Sequence, residues 1–272
     1  MKPGQVVSDK TLDLVDSGIL KALGKEPAGV SLICCDSKGQ ATLYVGLPGI
    51  NITPVASYAA PVEQVLLPPA VRELVTEVEA SPEDASSGAL PGKLRELALQ
   101  NGGEILEVLR RAGSVSERTM AATALGYANP TQEQFAALIR ACSDPAASVR
   151  NAAGGAILLG LRAGEPLARQ VDAGIFVALL QSSDWSDRNR AGSILVFLTS
   201  GRDPKIVALL RERALASLFE MAAWKEQAHA LSFRILLGRM ALMPEEEVQR
   251  LAQEPGGLQL LRIASRALLP GR

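Results

Sequence analysis

The stretch Asp144-Pro145-Ala146-Ala147-Ser148-Val149-Arg150-Asn151-Ala152-Ala153 decides how the rest of the chain is read. Its arginine is followed by Ala153 three residues on and by Ile157 seven residues on. On a helix those offsets share one face, so the small residue admits a neighbouring helix and the aliphatic one fills the contact. The same frame recurs upstream at Arg118, with Ala121 and Leu125, and downstream at Arg188, with Ala191 and Leu195. A weaker fourth copy puts Gln227 at the arginine position and Ala230 three residues later. Successive anchors lie 32, 38 and 39 residues apart, close to the period of roughly 40 found in two-helix repeats.

Outward from this frame, the chain from about Lys93 onward alternates helical stretches with short breaks holding Asn-Pro, Asp-Pro, Gly or Ser-Asp. Asp144-Pro145 and Asp203-Pro204 each offer an N-cap acceptor before a proline at the first helical position. Ser114 with Glu117 and Thr131 with Gln134 fit capping boxes. Gly154-Gly155 falls inside a repeat helix and reads as close packing. Glu245-Glu246-Glu247 after Pro244 reads as a helix first turn favoured by the macrodipole.

These residues resemble the HEAT-repeat family. The best copy carries the family's aspartate at Asp144, its valine-arginine pair at Val149-Arg150, and the small residues that follow. Asp184 and Arg190 keep the same six-residue spacing, whereas Ala112 stands where the first copy would have its aspartate. The resemblance covers residues of about 95–255, some four repeats. It implies a mainly α fold, a short α-solenoid, and a role as a binding scaffold, although a few relatives are associated with enzymes. It also implies two readings for Arg118, Asp144, Arg150 and Arg188: an inter-repeat hydrogen-bond ladder, or a surface for an acidic partner. Asn151 and Asn189 directly follow two of those arginines in mid-helix, where Asn is disfavoured by about half a kcal/mol against Ala. Their recurrence suggests the same ladder or a polar groove.

The first 80 residues read differently, as a small α+β element. A helix is expected from an N-cap at Ser8 through Leu23, with Leu12, Val15, Ile19, Leu20 and Leu23 on one face and Gly24 as its C′ residue. Gly29–Cys35 and Ala41–Gly46 read as strands joined by a turn at Asp36-Ser37-Lys38-Gly39. Both faces of this 29–46 hairpin are mostly apolar, so it needs cover, most simply from the preceding helix. Its open edge suits either capping of the repeat array or assembly with a partner strand or a second copy. Residues 47–61 should be extended, and a short helix should run from Ala70 to Glu79. The Pro/Gly/Ser-rich run at 81–92 reads as a linker before a repeat domain at 93–272.

Composition narrows the function. Aromatics make up 4% of 272 residues and the formal net charge is −1, so no broad field grips nucleic acid or anionic lipid. No apolar run reaches the length of a membrane helix. His229 is the single histidine and reads as a surface or capping residue. Trp185 and Trp224 read as packing between repeats, with a partner-binding anchor as the second option. Cys34, Cys35 and Cys142 have neither zinc-site nor disulfide-scaffold spacing. A strained disulfide between the vicinal pair competes with the plainer reading of two strand residues on opposite faces. No phosphate loop, nucleophile elbow or metalloprotease motif occurs, and no cofactor or metal is expected.

The expectation is a non-catalytic protein-binding scaffold using the concave face of its second helices. The partner is a protein, with no membrane association, and an oligomer can form through the hairpin. One rival is a chromophore-lyase-like relative holding a tetrapyrrole, although Cys142 ends a first helix and the groove is poor in aromatics. The other is a nucleic-acid-binding solenoid, disfavoured by the near balance of acidic and basic residues in the repeats. The compartment is cytoplasmic if Met1 is the native start, and periplasmic or secreted if a leader preceded it.

Overall fold

The computed structural model describes residues 9–33, 41–53, 55–80, 89–128, 130–164 and 171–269, with side chains from Asp13 onward. The expectations for Ser8, Cys34, Cys35, the 36–39 turn, most of the linker and the Leu12 side chain lie outside these residues. Helix α1 spans Asp9–Leu23, and strands β1 (Gly29–Ile33) and β2 (Thr42–Gly46) pair antiparallel with Ser31 opposite Tyr44. Then follow α2 (Pro69–Ala80), α3 (Ala89–Gln100), α4 (Gly102–Arg111), α5 (Val115–Tyr127), α6 (Gln132–Ala141) and α7 (Ala147–Ala163). The remaining helices are α8 (Ala173–Leu179), α9 (Trp185–Leu198), α10 (Pro204–Arg213), α11 (Leu215–Ala222), α12 (Gln227–Met240), α13 (Glu245–Ala252) and α14 (Leu258–Leu268). The fold is therefore mainly helical with one small antiparallel sheet.

Contacts divide the chain into two compact units, one of Met1–Val55 with Phe176–Arg272 and one of Ala56–Ile175. This division does not follow the expected 81–92 boundary. Helix α2 buries Val71, Leu74, Val75 and Val78 against α3 and α5, inside the second unit. A four-residue apolar stripe needs a helical neighbour, and the helices after the linker supply it. Ala89–Gly92, expected as linker, form the first turn of α3.

Within Ala56–Ile175, α4 packs on α5, α6 on α7, and the second helices α5 and α7 pack on each other. Within the other unit, α11 packs on α12, and α12 in turn touches α9, α13 and α14. The frame read from sequence is buried throughout: Ala121, Ala153 and Ala191 and their partners Leu125, Ile157 and Leu195 are all fully inaccessible. Close approach is literal at Gly126 and Gly192. An added Cβ would stand 2.8 Å from Ala156 and 2.9 Å from the Phe233 ring, respectively.

Capping follows the sequence at three points. Thr131 and Gln134 form a reciprocal capping box, and Asp203 accepts from Lys205 N ahead of Pro204. Ser114 accepts from the Glu117 amide, although the Glu117 carboxylate turns to Leu67 N and Arg72 and leaves that box half made. Asp144 departs from expectation. Helix α7 starts at Ala147 behind an Ala146 cap, because the Asp144 carboxylate is drawn instead to a buried arginine.

The hairpin also finds a different cover. The Tyr44 hydroxyl donates to the Ser182 carbonyl at 3.1 Å, and Gly29 and Gly46 lie so close to Ser183 that an added Cβ would stand 3.2 and 3.1 Å from it. The Tyr44 ring meets Trp224 at 6.0 Å. The sheet therefore docks on the loop before α9. Helix α1 leaves Leu14, Leu20 and Leu23 exposed, and no described side chain of α1 is buried. The Ser31/Tyr44 face instead meets the Ser182 carbonyl and the Trp224 ring through Tyr44.

Candidate functional site

The repeated arginines occupy one structural position. Arg118, Arg150 and Arg188 are each the fourth residue of their helix. Each donates to the carbonyl six residues upstream: Ala112 at 2.9 Å, Asp144 at 2.9 Å and Ser182 at 2.7 Å. Those carbonyls lie in the short connection that follows the first helix, where backbone acceptors are left without helical partners. A buried guanidinium with five donors satisfies them from the next helix. Two of the three reach a second carbonyl five residues upstream, Gly113 for Arg118 and Pro145 for Arg150.

The fourth copy is displaced by one turn. Gln227 is the first residue of α12 and exposed, so the arginine position falls on buried Ala230. The work of the missing arginine passes to Arg234, fully buried one turn further on. It donates to the carbonyls of Ala222, Trp224, Ala252 and Glu254 at 3.0–3.3 Å. The sequence signal was an arginine one helical turn beyond an arginine-less copy.

In the Ala56–Ile175 unit this row is crossed by an extended segment of the same chain. Arg118 grips Asp144 with two hydrogen bonds, Nε to Oδ2 at 2.9 Å and Nη2 to Oδ1 at 3.0 Å. Asp144 Oδ2 also accepts the Tyr58 hydroxyl at 2.7 Å. Arg140, which is exposed, lies over the Tyr58 ring with its guanidinium carbon 4.8 Å from the centroid. Further along, Glu63 pairs in parallel with Ala112: its amide donates to Arg111 O at 3.2 Å and its carbonyl accepts from Gly113 N at 2.8 Å. Its carboxylate meets the Arg111 guanidinium side-on, at 3.0 Å through Nε and at 2.5 Å through Nη2. The Leu67 amide then donates to Glu117 Oε2 at 2.7 Å, whose other oxygen pairs with Arg72 at 2.8 Å.

The electrostatics follow from these contacts. Burial alone would raise the Asp144 carboxyl, but hydrogen bonds from Arg118, Tyr58 and the Ala146 amide hold it below the usual aspartate range. The Tyr58 phenol is raised by burial and by its bond to that carboxylate. Gly113 sets the closeness of the crossing, since a Cβ there would meet the Val62 backbone at 3.1–3.3 Å.

In the other unit Arg188 makes a parallel set of contacts with different chemistry. Nη2 donates to Asn51 O at 2.6 Å and Nη1 to Glu220 at 3.2 Å, and the guanidinium sits 4.9 Å from the Tyr44 ring centroid. The Thr53 amide donates to Gln181 O at 2.9 Å. Burial pushes the Tyr44 phenol up to about 12, with Arg188 opposing and Glu220 adding to the rise. Beside this, Trp185 stacks on Trp224 at 4.7 Å and meets His229 edge-on at 4.8 Å. Both tryptophans thus join one cluster, and the histidine expected at the surface is half-buried against an indole. A shallow cleft of about 330 Å³ opens there, lined by Ser31, Leu32, Ile33, Asp184, Trp185, Ser186 and His229.

Of the residues singled out from sequence, Arg118, Asp144 and Arg188 are wholly buried and Arg150 nearly so. Asn151 and Asn189 are half-buried, one residue beyond the arginines. Tyr58 and Glu63 carried no periodic signal, because their partners come from distant sequence, whereas Arg111 meets Glu107 one helical turn back at 2.9 Å as well as Glu63. Cys142 is a buried helix cap, leaving no accessible thiol there. Among the described residues there is no cluster of metal-ligating side chains, and no helix is long and apolar enough to cross a membrane. Compared with known proteins, the chain matches no family model, no curated sequence and no solved structure.

Proposed function

We propose that the protein is a non-catalytic, protein-binding scaffold built on a short HEAT-like solenoid. Three features support the architectural half. The repeated arginines share a helix position and an upstream carbonyl, the alanine and aliphatic residues of the frame are buried, and consecutive helices pack in pairs. Short helical hairpins that bury only their neighbours' faces are the working principle of repeat scaffolds.

The binding half rests on one observation: the helix ends of the Ala56–Ile175 unit hold a stretch of chain in extended form. They do so by backbone pairing at Glu63 and by side-chain anchors at Tyr58 and Glu63. Peptide recognition in many domains uses this combination, with the backbone giving affinity and alternate side chains giving specificity. Burial of Arg118, Asp144, Arg150 and Arg188, with the arginines bonded to nearby carbonyls, supports the ladder reading of these residues over the acidic-partner one.

The test is affinity capture from the native host with the intact chain, with retained material identified by mass spectrometry. A short, reproducible set of proteins supports the reading. Recovery of a pigment or of nucleic acid in place of proteins overturns it.

A further inference from the structure

The segment of residues 55–67 is attached to the helix ends more lightly than its hydrogen bonds suggest. Only Leu67 is buried; Tyr58, Pro61 and Val65 are half-buried, while Val62 is 86% and Leu66 63% exposed. Ahead of the buried Leu67, whose amide donates to Glu117 Oε2, its contacts fall at two points, the Tyr58 phenol on Asp144 and Arg140, and Glu63 on Arg111 and the backbone of 111–113. Neither contact depends on the identity of the intervening residues, Ala59, Ala60, Pro61 and Val62.

From this we infer that the track formed by Arg111, Gly113, Arg140 and Asp144 is a peptide-binding site in its own right, occupied at rest by the chain's own 55–67 segment. The incoming partner is an extended peptide with a tyrosine and, five residues later, a glutamate or aspartate. The inference rests on the scaffold reading above and gives it a place and a ligand chemistry.

Each part of the track selects one part of that peptide. Arg111 presents an exposed planar guanidinium that takes a carboxylate through two parallel bonds, a geometry a lysine or an amide cannot reproduce. Asp144, already held ionised by Arg118, accepts a phenol and rejects a second carboxylate. Arg140 offers a cation to the face of the ring that the phenol brings with it. Gly113 lets a backbone lie within van der Waals distance and donates its amide to the peptide carbonyl. The resident segment is tethered, and a short tether gives an effective concentration of about millimolar. A free peptide with a dissociation constant of micromolar order therefore has to displace it, and the apparent affinity of the intact chain is lowered by the occupied fraction.

The experiment uses the full chain and a fluorescein-labelled peptide of the sequence Val55 to Pro68, read by anisotropy. The double variant Tyr58→Ala, Glu63→Ala frees the track without touching it, and circular dichroism confirms that its helices persist. The peptide is expected to bind this variant at least tenfold more tightly than it binds the natural chain. A peptide lacking the tyrosine and the glutamate should show no saturable binding to either. Equal binding of the peptide to both chains, or equal binding of the anchorless peptide, overturns the inference.

A charge swap guards against a variant that misfolds. The chain carrying Arg111→Glu should lose the natural peptide and gain one with lysine in place of the glutamate; absence of that exchange also overturns the site. Host proteins still captured by Arg111→Glu at natural strength would show scaffold binding at another surface, and so refute this track while sparing the scaffold reading.

Discussion

Arg118 and Arg188 occupy the same turn of their helices and donate to the same relative carbonyl, yet they are neutralised in opposite ways. Arg118 faces a fully buried carboxylate through two hydrogen bonds, and that carboxylate holds Tyr58 in turn. Arg188 is equally buried but meets backbone oxygens of Ser182 and Asn51, a glutamate 30% exposed, and an aromatic face. The shared bond belongs to the helix position, because the connection ahead of each of these helices leaves carbonyls open. The unshared bonds belong to whatever piece of chain crosses the helix ends at that point. One arginine position thus performs one constant and one variable task.

The largest expected effect breaks the comparison at its charged side. Asp144→Ala leaves the Arg118 guanidinium buried without its counter-charge, a situation that typically costs about 3–5 kcal/mol. Glu220→Ala removes a partly exposed partner from an arginine that keeps its carbonyls, and should cost about 0–1 kcal/mol. Chemical denaturation of both variants measures the gap. Equal losses would mean that the two arginines are neutralised alike.

Ala153→Leu comes next, with about 1–3 kcal/mol from overpacking where α7 meets its neighbours. An unchanged midpoint would take the alanine out of the shared frame. Tyr58→Phe should then cost about 1 kcal/mol, the value of one hydrogen bond at a half-buried site, and should leave Arg188 and its surroundings untouched. The smallest effect is expected for Gln227→Ala, within about 0.5 kcal/mol as for a typical surface change. A large loss there would restore Gln227 to the repeat position that Ala230 occupies.

Acid sharpens the same comparison. The folded Asp144 carboxyl lies below its ordinary value of 3.8, so its stabilisation is full above that range and lost as pH falls through the folded value. Glu245, held to about 2 first of all by Arg239, gives a contribution that fades between roughly pH 4.5 and 2. Because its side chain is 43% exposed, solvent screening makes that contribution the smaller one. Asp144→Asn should flatten the acid limb of the stability curve more than Glu245→Gln, as followed by denaturant midpoints from pH 5 to 2.5. The reverse order would place the dominant carboxylate on the other arginine pair.

Much of the helical pattern was legible because it repeats. Arg118, Arg150 and Arg188 with their alanines and aliphatics repeat a spacing fixed by 3.6 residues per turn, and a short-range rule can be read from short-range sequence. The capping box at Thr131 and Gln134 was legible for the same reason. Asp144-Pro145 misled because a local rule competed with a distant charge: the buried Arg118, 26 positions earlier, outbids a cap that Ala146 can do without.

The sequence by itself determined the periodic elements: helices that bury one stripe, the two paired strands, and arginines set at the same place in three helices. Each depends on neighbours within a turn or two, so local stereochemistry suffices to specify it. Only the tertiary structure decided what those elements meet. That α2 joins the later helices, that the sheet lies on the loop before α9, and that Tyr58 and Glu63 anchor an extended segment are all pairings across dozens of residues. Such pairings depend on which buried charge or open carbonyl lacks a partner once the chain has folded, and no local spacing records that.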